Sequence, residues 1–286
     1  MPDHPPDRKP TDDEVDAHAL THIGKVRKEN QDHYLIATIH KRVQVVATNL
    51  GPSQRPAESD ERVGYVAVVS DGVGSGTGGG AASATALEAI MQYVNDSMST
   101  YFGKPPAELE FTAALQEAAT RSHKAILAQR AKSEHVGTMA TTLTMYMGVW
   151  PVYYLLQIGD SRYYLYRHGV LTQVTRDQTM AQELVDAGVM SRATAMTLRL
   201  AHVLSSALGG DETAPVVTRL QSDWTNVHLM CSDGLTKHVT DERIAAILGS
   251  MTSSKQAAEL LLQEALDAGG TDNVTIIVAR TIPRAT

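Results

Sequence analysis

Thr141-Thr142-Leu143-Thr144-Met145-Tyr146-Met147-Gly148-Val149 and Val152-Tyr153-Tyr154-Leu155-Leu156-Gln157-Ile158 are two strand-length runs of apolar and aromatic residues, separated only by Trp150-Pro151. Two more follow at once, Arg162 to Tyr166 and Val170 to Val174, with His168-Gly169 as a turn before the second. Consecutive strands with no helix between them predict antiparallel pairing, because a parallel neighbour needs a longer crossover. Upstream, His22-Ile23-Gly24, His33 to Ile39, Gln44 to Ala47 and Tyr65 to Val69 read as strands, with a polar surface loop from Asn49 to Arg62. Helical periodicity then marks Ala81 to Met98 and Ala107 to Lys132. Downstream come helical stretches Ala181 to Ala187 and Ala193 to Leu200, and strands Val216 to Leu220 and Val227 to Cys231. Helices around Asp241 to Leu248 and Lys255 to Ala268 precede a last strand, Val274 to Ala279. Strands grouped in runs and helices in pairs predict an α+β layered domain, not a doubly wound parallel sheet.

Four acids stand at strand edges of this pattern. Asp160 closes the run that ends at Gly159, and Asp272 immediately precedes the last strand. The other two share one phrase, in which a core-type strand stops on Ser-Asp-Gly: Ser70-Asp71-Gly72 and Ser232-Asp233-Gly234. If they converge about 5 to 6 Å apart, each of the six pairs repels by roughly 3 kcal/mol at an effective dielectric near 20. The sum, about 15 to 20 kcal/mol as an upper bound, exceeds the roughly 5 to 15 kcal/mol that stabilises a domain. Protons or cations must relieve it, and an all-oxygen donor set favours Mg²⁺ or Mn²⁺ over zinc. A glycine after Asp71 leaves its own carbonyl free to turn in as a further oxygen ligand.

Gly74-x-Gly76-x-x-Gly79 also fits a dinucleotide fingerprint, with Asp96 about twenty residues further on. Against it, Asp71 would face the pyrophosphate, Asp96 ends a helical pattern, and no βαβ return follows. A P-loop lacks its Gly-Lys-Ser/Thr. Cys231, the single cysteine, excludes an internal disulfide and reads as buried filler. The eleven histidines show no ligand spacing.

The net charge of -7 gives no basic field for nucleic acid or a membrane surface, and no run of about 18 apolar residues appears. With the single cysteine, these features predict a cytoplasmic protein, and a monomer is expected. Residues 1–16, rich in proline and charge, are expected to be a disordered tail, with 17–286 a single domain.

The ordered series Arg27…Asn30-Gln31-Asp32, Asp71-Gly72-x-Gly74, Thr141-Thr142, Gly159-Asp160-Ser161-Arg162, Thr175-x-Asp177, Ser232-Asp233-Gly234-Leu235 and Gly269-Gly270-x-Asp272-Asn273 resembles the metal-dependent (type 2C, PPM) protein serine/threonine phosphatases in their bacterial form. The resemblance runs from about His22 to Arg280. It implies a four-layer α-β-β-α sandwich of two stacked, mainly antiparallel sheets flanked by helix pairs, with a mobile flap at about 178–203. It implies hydrolysis of phosphoserine and phosphothreonine by a water bridging two catalytic ions, Mn²⁺ or Mg²⁺.

On that resemblance Asp71 bridges the two ions beside the Gly72 carbonyl, and Asp233 and Asp272 complete one of them. Asp160 shares a third, weaker ion with Asp233, Asp32 orders the water, and Arg27 binds the phosphate. The partners implied are phosphorylated proteins, targets of a Ser/Thr kinase or the kinase itself. Val73, Ser75, Gly76 and Gly80 depart from the Met-Gly-Gly-His and Gly-Glu common in bacterial relatives, so this loop supplies no histidine acid. The flap also lacks the family's frequent His-Pro pair. A non-catalytic phosphatase-like module that binds a phosphoprotein is the alternative reading.

Overall fold

The computed structural model describes residues 8–40, 43–48, 62–74, 78–98, 108–132, 139–195 and 197–284. The strands are β1 (Val15–His22), β2 (Asp32–Ile39), β3 (Val43–Thr48), β4 (Gly64–Val73), β5 (Ala140–Thr141), β6 (Leu143–Val149), β7 (Val152–Ile158), β8 (Arg162–Arg167), β9 (Val170–Gln173), β10 (Val216–Gln221), β11 (Val227–Cys231) and β12 (Val274–Thr281). The helices are α1 (Gly78–Met98), α2 (Glu108–Lys132), α3 (Met180–Asp186), α4 (Arg192–Ala195), α5 (Asp233–Thr236), α6 (Asp241–Ser250) and α7 (Ser254–Asp267).

Two sheets result, one in the order β10-β7-β6-β4-β2-β3 with β5 on β4, the other β1-β12-β11-β8-β9. Every pairing among the described strands is antiparallel. The block of consecutive strands is divided: β6 and β7 pair in the first sheet, and β8 crosses to the second to pair β9 and β11.

Strand periodicity explains the layers. In β4, Val66 and Val68 pack with Leu87, Ile90 and Leu115 of α1 and α2, while Val69 faces the second sheet. In β12, Val274, Ile276 and Val278 pack under α6 and α7 with Ile244 and Leu261, while Ile277 faces the first sheet. Between the sheets lie Ile36, Val69, Tyr153, Leu155, Tyr163, Met230 and Ile277. Both faces of the central strands are buried, so they read as nearly continuous apolar runs. His228 joins this middle layer neutral: burial pushes its pKa down to about 4, and its Nδ1 pairs with the Tyr163 hydroxyl. Cys231 is fully buried, and burial pushes its thiol up to about 12.

The expected tail needs correction over residues 8–16; residues 1–7 lie outside the described residues. Arg8 pairs with the buried Glu14 at 2.6 Å, the Trp224 indole donates to the Arg8 carbonyl, and β1 begins at Val15 against Thr281 of β12. The strand expected at His22-Ile23-Gly24 lies earlier, at Val15–His22, where the apolar positions Ala17 and Ala19 are small and the alternation breaks at Leu20-Thr21. Asp16 finds specific partners, the Ser254 amide and Arg280, at the start of α7 and the end of β12. The Asn49 to Arg62 loop lies outside the described residues except Arg62. The expected helix Ala193 to Leu200 is shorter, confined to α4 with a 3-10 turn at Arg199–His202.

Candidate metal centre

All four strand-edge acids, and Asp32, lie at one end of the sandwich. Asp32 opens β2 directly opposite Asp71 in β4. Asp160 follows β7, Asp233 follows β11 as the first residue of α5, and Asp272 precedes β12. The two sheets therefore contribute to one site. Asp32 joins them: it is 1% exposed, and its Oδ2 accepts from Ser232 Oγ at 2.8 Å and Thr275 Oγ1 at 2.7 Å, both in the other sheet's segments.

The serines of both Ser-Asp-Gly phrases are buried and structural. Ser70 Oγ donates to the Thr142 carbonyl at 2.8 Å, and Ser232 accepts the Thr275 amide at 2.9 Å. Thr141 and Thr142 fix the Asp71 backbone: the Asp71 carbonyl accepts from Thr141 Oγ1 at 2.8 Å and the Thr142 amide at 2.9 Å, and its amide donates to Thr142 Oγ1 at 3.0 Å. Asn273 secures the Arg27 loop by donating to the carbonyls of Ile23 and Glu29. These hydroxyl and amide roles give no signal in sequence beyond small polar residues beside an acid.

Gly72 is required by crowding. A Cβ there would lie 2.2 Å from the Gly79 carbonyl oxygen and 2.8 Å from that of Gln31, where α1 begins against β4. Gly72→Ala is expected to cost about 1–3 kcal/mol of stability, as overpacking does. Urea unfolding checks this, and an unchanged midpoint contradicts the crowding.

The electrostatics show convergence directly. Asp71 is pushed well above the ordinary carboxylate range, first by burial and then by the charges of Asp32, Asp233, Asp160 and Asp272. Burial raises Asp32 to about 6 despite the hydroxyls of Thr275 and Ser232, and burial with the charges of Asp233 and Asp177 raises Asp160 to about 8. Burial pushes Asp272 up, but Arg27 and Lys237 outweigh it and hold Asp272 below the ordinary range.

Two cations stand among the acids. Arg27 grips Asp272 bidentately, Nε to Oδ1 at 2.7 Å and Nη2 to Oδ2 at 2.8 Å. Lys237, which sequence reading missed, lies 2.5 Å from Asp233 Oδ2 and 2.7 Å from Asp272 Oδ2. Its only sequence signal is its place four residues after Asp233. With these cations in place, no three His, Cys, Asp or Glu side chains form a ready-made metal cage among the described residues.

The donors nevertheless fit hard divalent cations. They are all oxygens, Asp71 is crowded by like charges, and Asp233 Oδ1 is buried with no hydrogen-bond partner. The glycine fingerprint fails as a dinucleotide site: Asp96 lies within α1, and β4 is flanked by antiparallel neighbours. Ser75 to Thr77 lie outside the described residues.

Carboxylates titrate near 3.9 in an unfolded chain, whereas Asp32 and Asp160 do so near 6 and 8 here. The fold without divalent ions thus binds more protons than the unfolded chain, and this contribution is lost as pH rises through those values. In EDTA, Tm is expected to fall from pH 5 to 8.5, and Mn²⁺ is expected to raise Tm more at 8.5 than at 5. Thermal scans test both, and a flat profile contradicts the crowding.

Comparison with known proteins gives concordant results. The family described as Protein phosphatase 2C matches residues 57–268. The chain is 35% identical over 211 residues to the serine/threonine protein phosphatase PstP of Mycobacterium tuberculosis, a match covering 74% of this chain and 39% of that protein. It is 29% identical over 214 residues to the serine/threonine phosphatase stp of Listeria monocytogenes, covering 74% and 83%. Among solved structures, the catalytic domain of PstP in complex with two manganese ions is similar with a TM-score of 0.71 at 29% identity, covering 94% of this chain and 99% of that one. The chain thus spans about two fifths of the full length of its mycobacterial relative.

Proposed function

The chain belongs to the protein phosphatase 2C family, and on that premise we propose that it hydrolyses phosphoserine and phosphothreonine in proteins at the acid cluster. The observation that carries the reading is the meeting of five acids from both sheets at one end of the sandwich, where burial of Asp71 first, and then the charges of Asp32, Asp233, Asp160 and Asp272, raise its proton affinity. We assign Asp71, with the Gly72 carbonyl, to two divalent ions, Asp233 and Asp272 to one of them, and Asp160 with Asp233 to a third. The similar PstP domain is described with manganese, which supports Mn²⁺; the same oxygen donors suit Mg²⁺. When bound, such ions lower the pKa of a water nucleophile and neutralise phosphoryl oxygens.

The chain's own residues do the rest. Asp32 is locked by Ser232 and Thr275, so its carboxylate is fixed in direction, and a pKa raised to about 6 lets it exchange a proton near neutrality. It orients the attacking water. Arg27 lies half exposed at the cluster's edge, and its planar fork can exchange the Asp272 oxygens for two phosphate oxygens. That exchange orients the phosphoryl group for in-line attack.

The segment 178–203 is assigned as the flap beside the site. Its base is tied by Met180 N to the Val203 carbonyl at 2.8 Å and Ser205 N to the Gln178 carbonyl at 3.0 Å, and it exposes Val189 and Val203. These suit contact with a protein substrate, either a kinase target or the kinase. Among the described residues no helix is long and apolar enough to cross a membrane; a cytoplasmic monomer is proposed.

The test is phosphate release from a phosphothreonine peptide. Release in Mn²⁺ and none in EDTA is expected. Peptide binding without release in saturating Mn²⁺ contradicts the enzyme reading and supports a non-catalytic phosphoprotein-binding module.

A further inference from the structure

Lys237 caps α5 in helical geometry, one turn beyond Asp233. Its Nζ lies 2.5 Å from Asp233 Oδ2 and 2.7 Å from Asp272 Oδ2, two acids delivered to the same end of the β11–β12 pair, one just after β11 and the other just before β12. One compact positive charge thus bridges two carboxylates, as a metal ion would. The satisfaction is incomplete. Lys237 serves one oxygen of Asp233, and the other, Oδ1, is buried without a hydrogen-bond partner. Asp272 has no oxygen to spare: Oδ1 meets Arg27 Nε and the Asn273 amide, and Oδ2 meets Arg27 Nη2 and Lys237. A divalent ion that takes both acids must displace a cation already there.

We infer that Lys237 is a tethered competitor for the metal, closing the Asp233–Asp272 pair when no divalent ion is bound and withdrawing into solvent when one enters. This rests on the metal-dependent reading above. The side chain suits the task. Lysine carries a strongly hydrated point charge on a flexible stem, and Lys237 is 24% exposed, so its amine has a short path to water. Arg27 is a poorer competitor for Asp233, because its two ion-pair contacts are both with Asp272. The device lowers metal affinity, keeps the acids from repelling one another, and makes occupancy follow the free divalent-ion concentration.

Two measurements test this. The first is calorimetric titration of Mn²⁺ into wild-type protein and Lys237→Gln, with Tm recorded in EDTA. Lys237→Gln is expected to bind Mn²⁺ roughly tenfold more tightly, equivalent to about 1.4 kcal/mol, and to melt lower than wild type in EDTA. Lys237→Arg, which keeps the charge, should stay near wild type. The second needs no variant: acylation of Lys237, followed by mass spectrometry, should run several-fold faster in saturating Mn²⁺ than in EDTA.

Unchanged or weaker Mn²⁺ affinity in Lys237→Gln overturns the inference, as does equal labelling in the two conditions. A raised KM for phosphopeptide at unchanged Mn²⁺ affinity would place the lysine on substrate instead and overturn it too. Wild type that binds no Mn²⁺ fails the metal reading itself, an outcome distinct from these.

Discussion

Asp71→Asn is expected to reduce Mn²⁺-dependent phosphate release by about 10²- to 10³-fold, as loss of a single stabilising group costs, while raising Tm in EDTA. The two signs come from one cause. The burial of Asp71, and after it the charges of the surrounding Asp32, Asp233, Asp160 and Asp272, resist its ionisation. An amide of nearly the same shape removes that repulsion but cannot bridge two cations. Its backbone contacts to Thr141 and Thr142 are unaffected, so the local fold persists. A residue kept for packing would lose stability on substitution, whereas one kept for function at a cost to stability gains it. Turnover and a thermal scan on the same preparation check both signs. Full turnover, or a lower Tm, contradicts the assignment.

The largest loss of stability is expected at Arg162 and Asp177. The guanidinium meets the carboxylate through Nε at 2.9 Å and Nη2 at 2.6 Å, and the two side chains are only 16% and 8% exposed. Arg162 Nη1 also donates to the Tyr164 hydroxyl, which donates to Asp241 at the start of α6. The network therefore ties β8 to the turn after β9 and to the helical layer above them. Removing one partner leaves the other charged and buried, which costs about 3–5 kcal/mol. Arg162→Met carries a further penalty, because Asp177 and Asp160 repel one another and Arg162 offsets their charge. Urea unfolding of Arg162→Met, Asp177→Leu and the double variant checks this. The double variant is expected to lose less than the sum, since neither charge is then stranded. A loss under about 1 kcal/mol for Arg162→Met would mean that water screens the pair as at a surface.

The fold was legible where periodicity is strong. The runs at 141–158 announced antiparallel strands, and the helix pairs announced outer layers. Sequence could not show that β8 leaves the sheet of β7, because both strands are apolar on two faces and only the packed layers separate them. β1 escaped notice because its partner β12 lies more than 250 residues away, in pairs such as Val15 with Thr281. Its polar positions also dilute the alternation. At the site, acids at strand ends were visible because a carboxylate there has no packing purpose. Lys237 was not, since a lysine between a strand and the next helix is ordinary until α5 is seen to begin at Asp233 and to end on Lys237. Thr275 gave no signal, and Ser232 stood out only beside Asp233: their shared role, holding Asp32 across the two sheets, exists only in the folded chain.

If acids from both sheets jointly hold divalent ions, crystals grown in Mn²⁺ and measured at the manganese absorption edge will locate those ions. The expected result is two anomalous peaks roughly 3.5–4 Å apart, with Asp71 touching both, Asp233 and Asp272 on one, and Lys237 withdrawn. Peaks away from Asp71, or Lys237 still bridging Asp233 and Asp272 at saturating Mn²⁺, would contradict it.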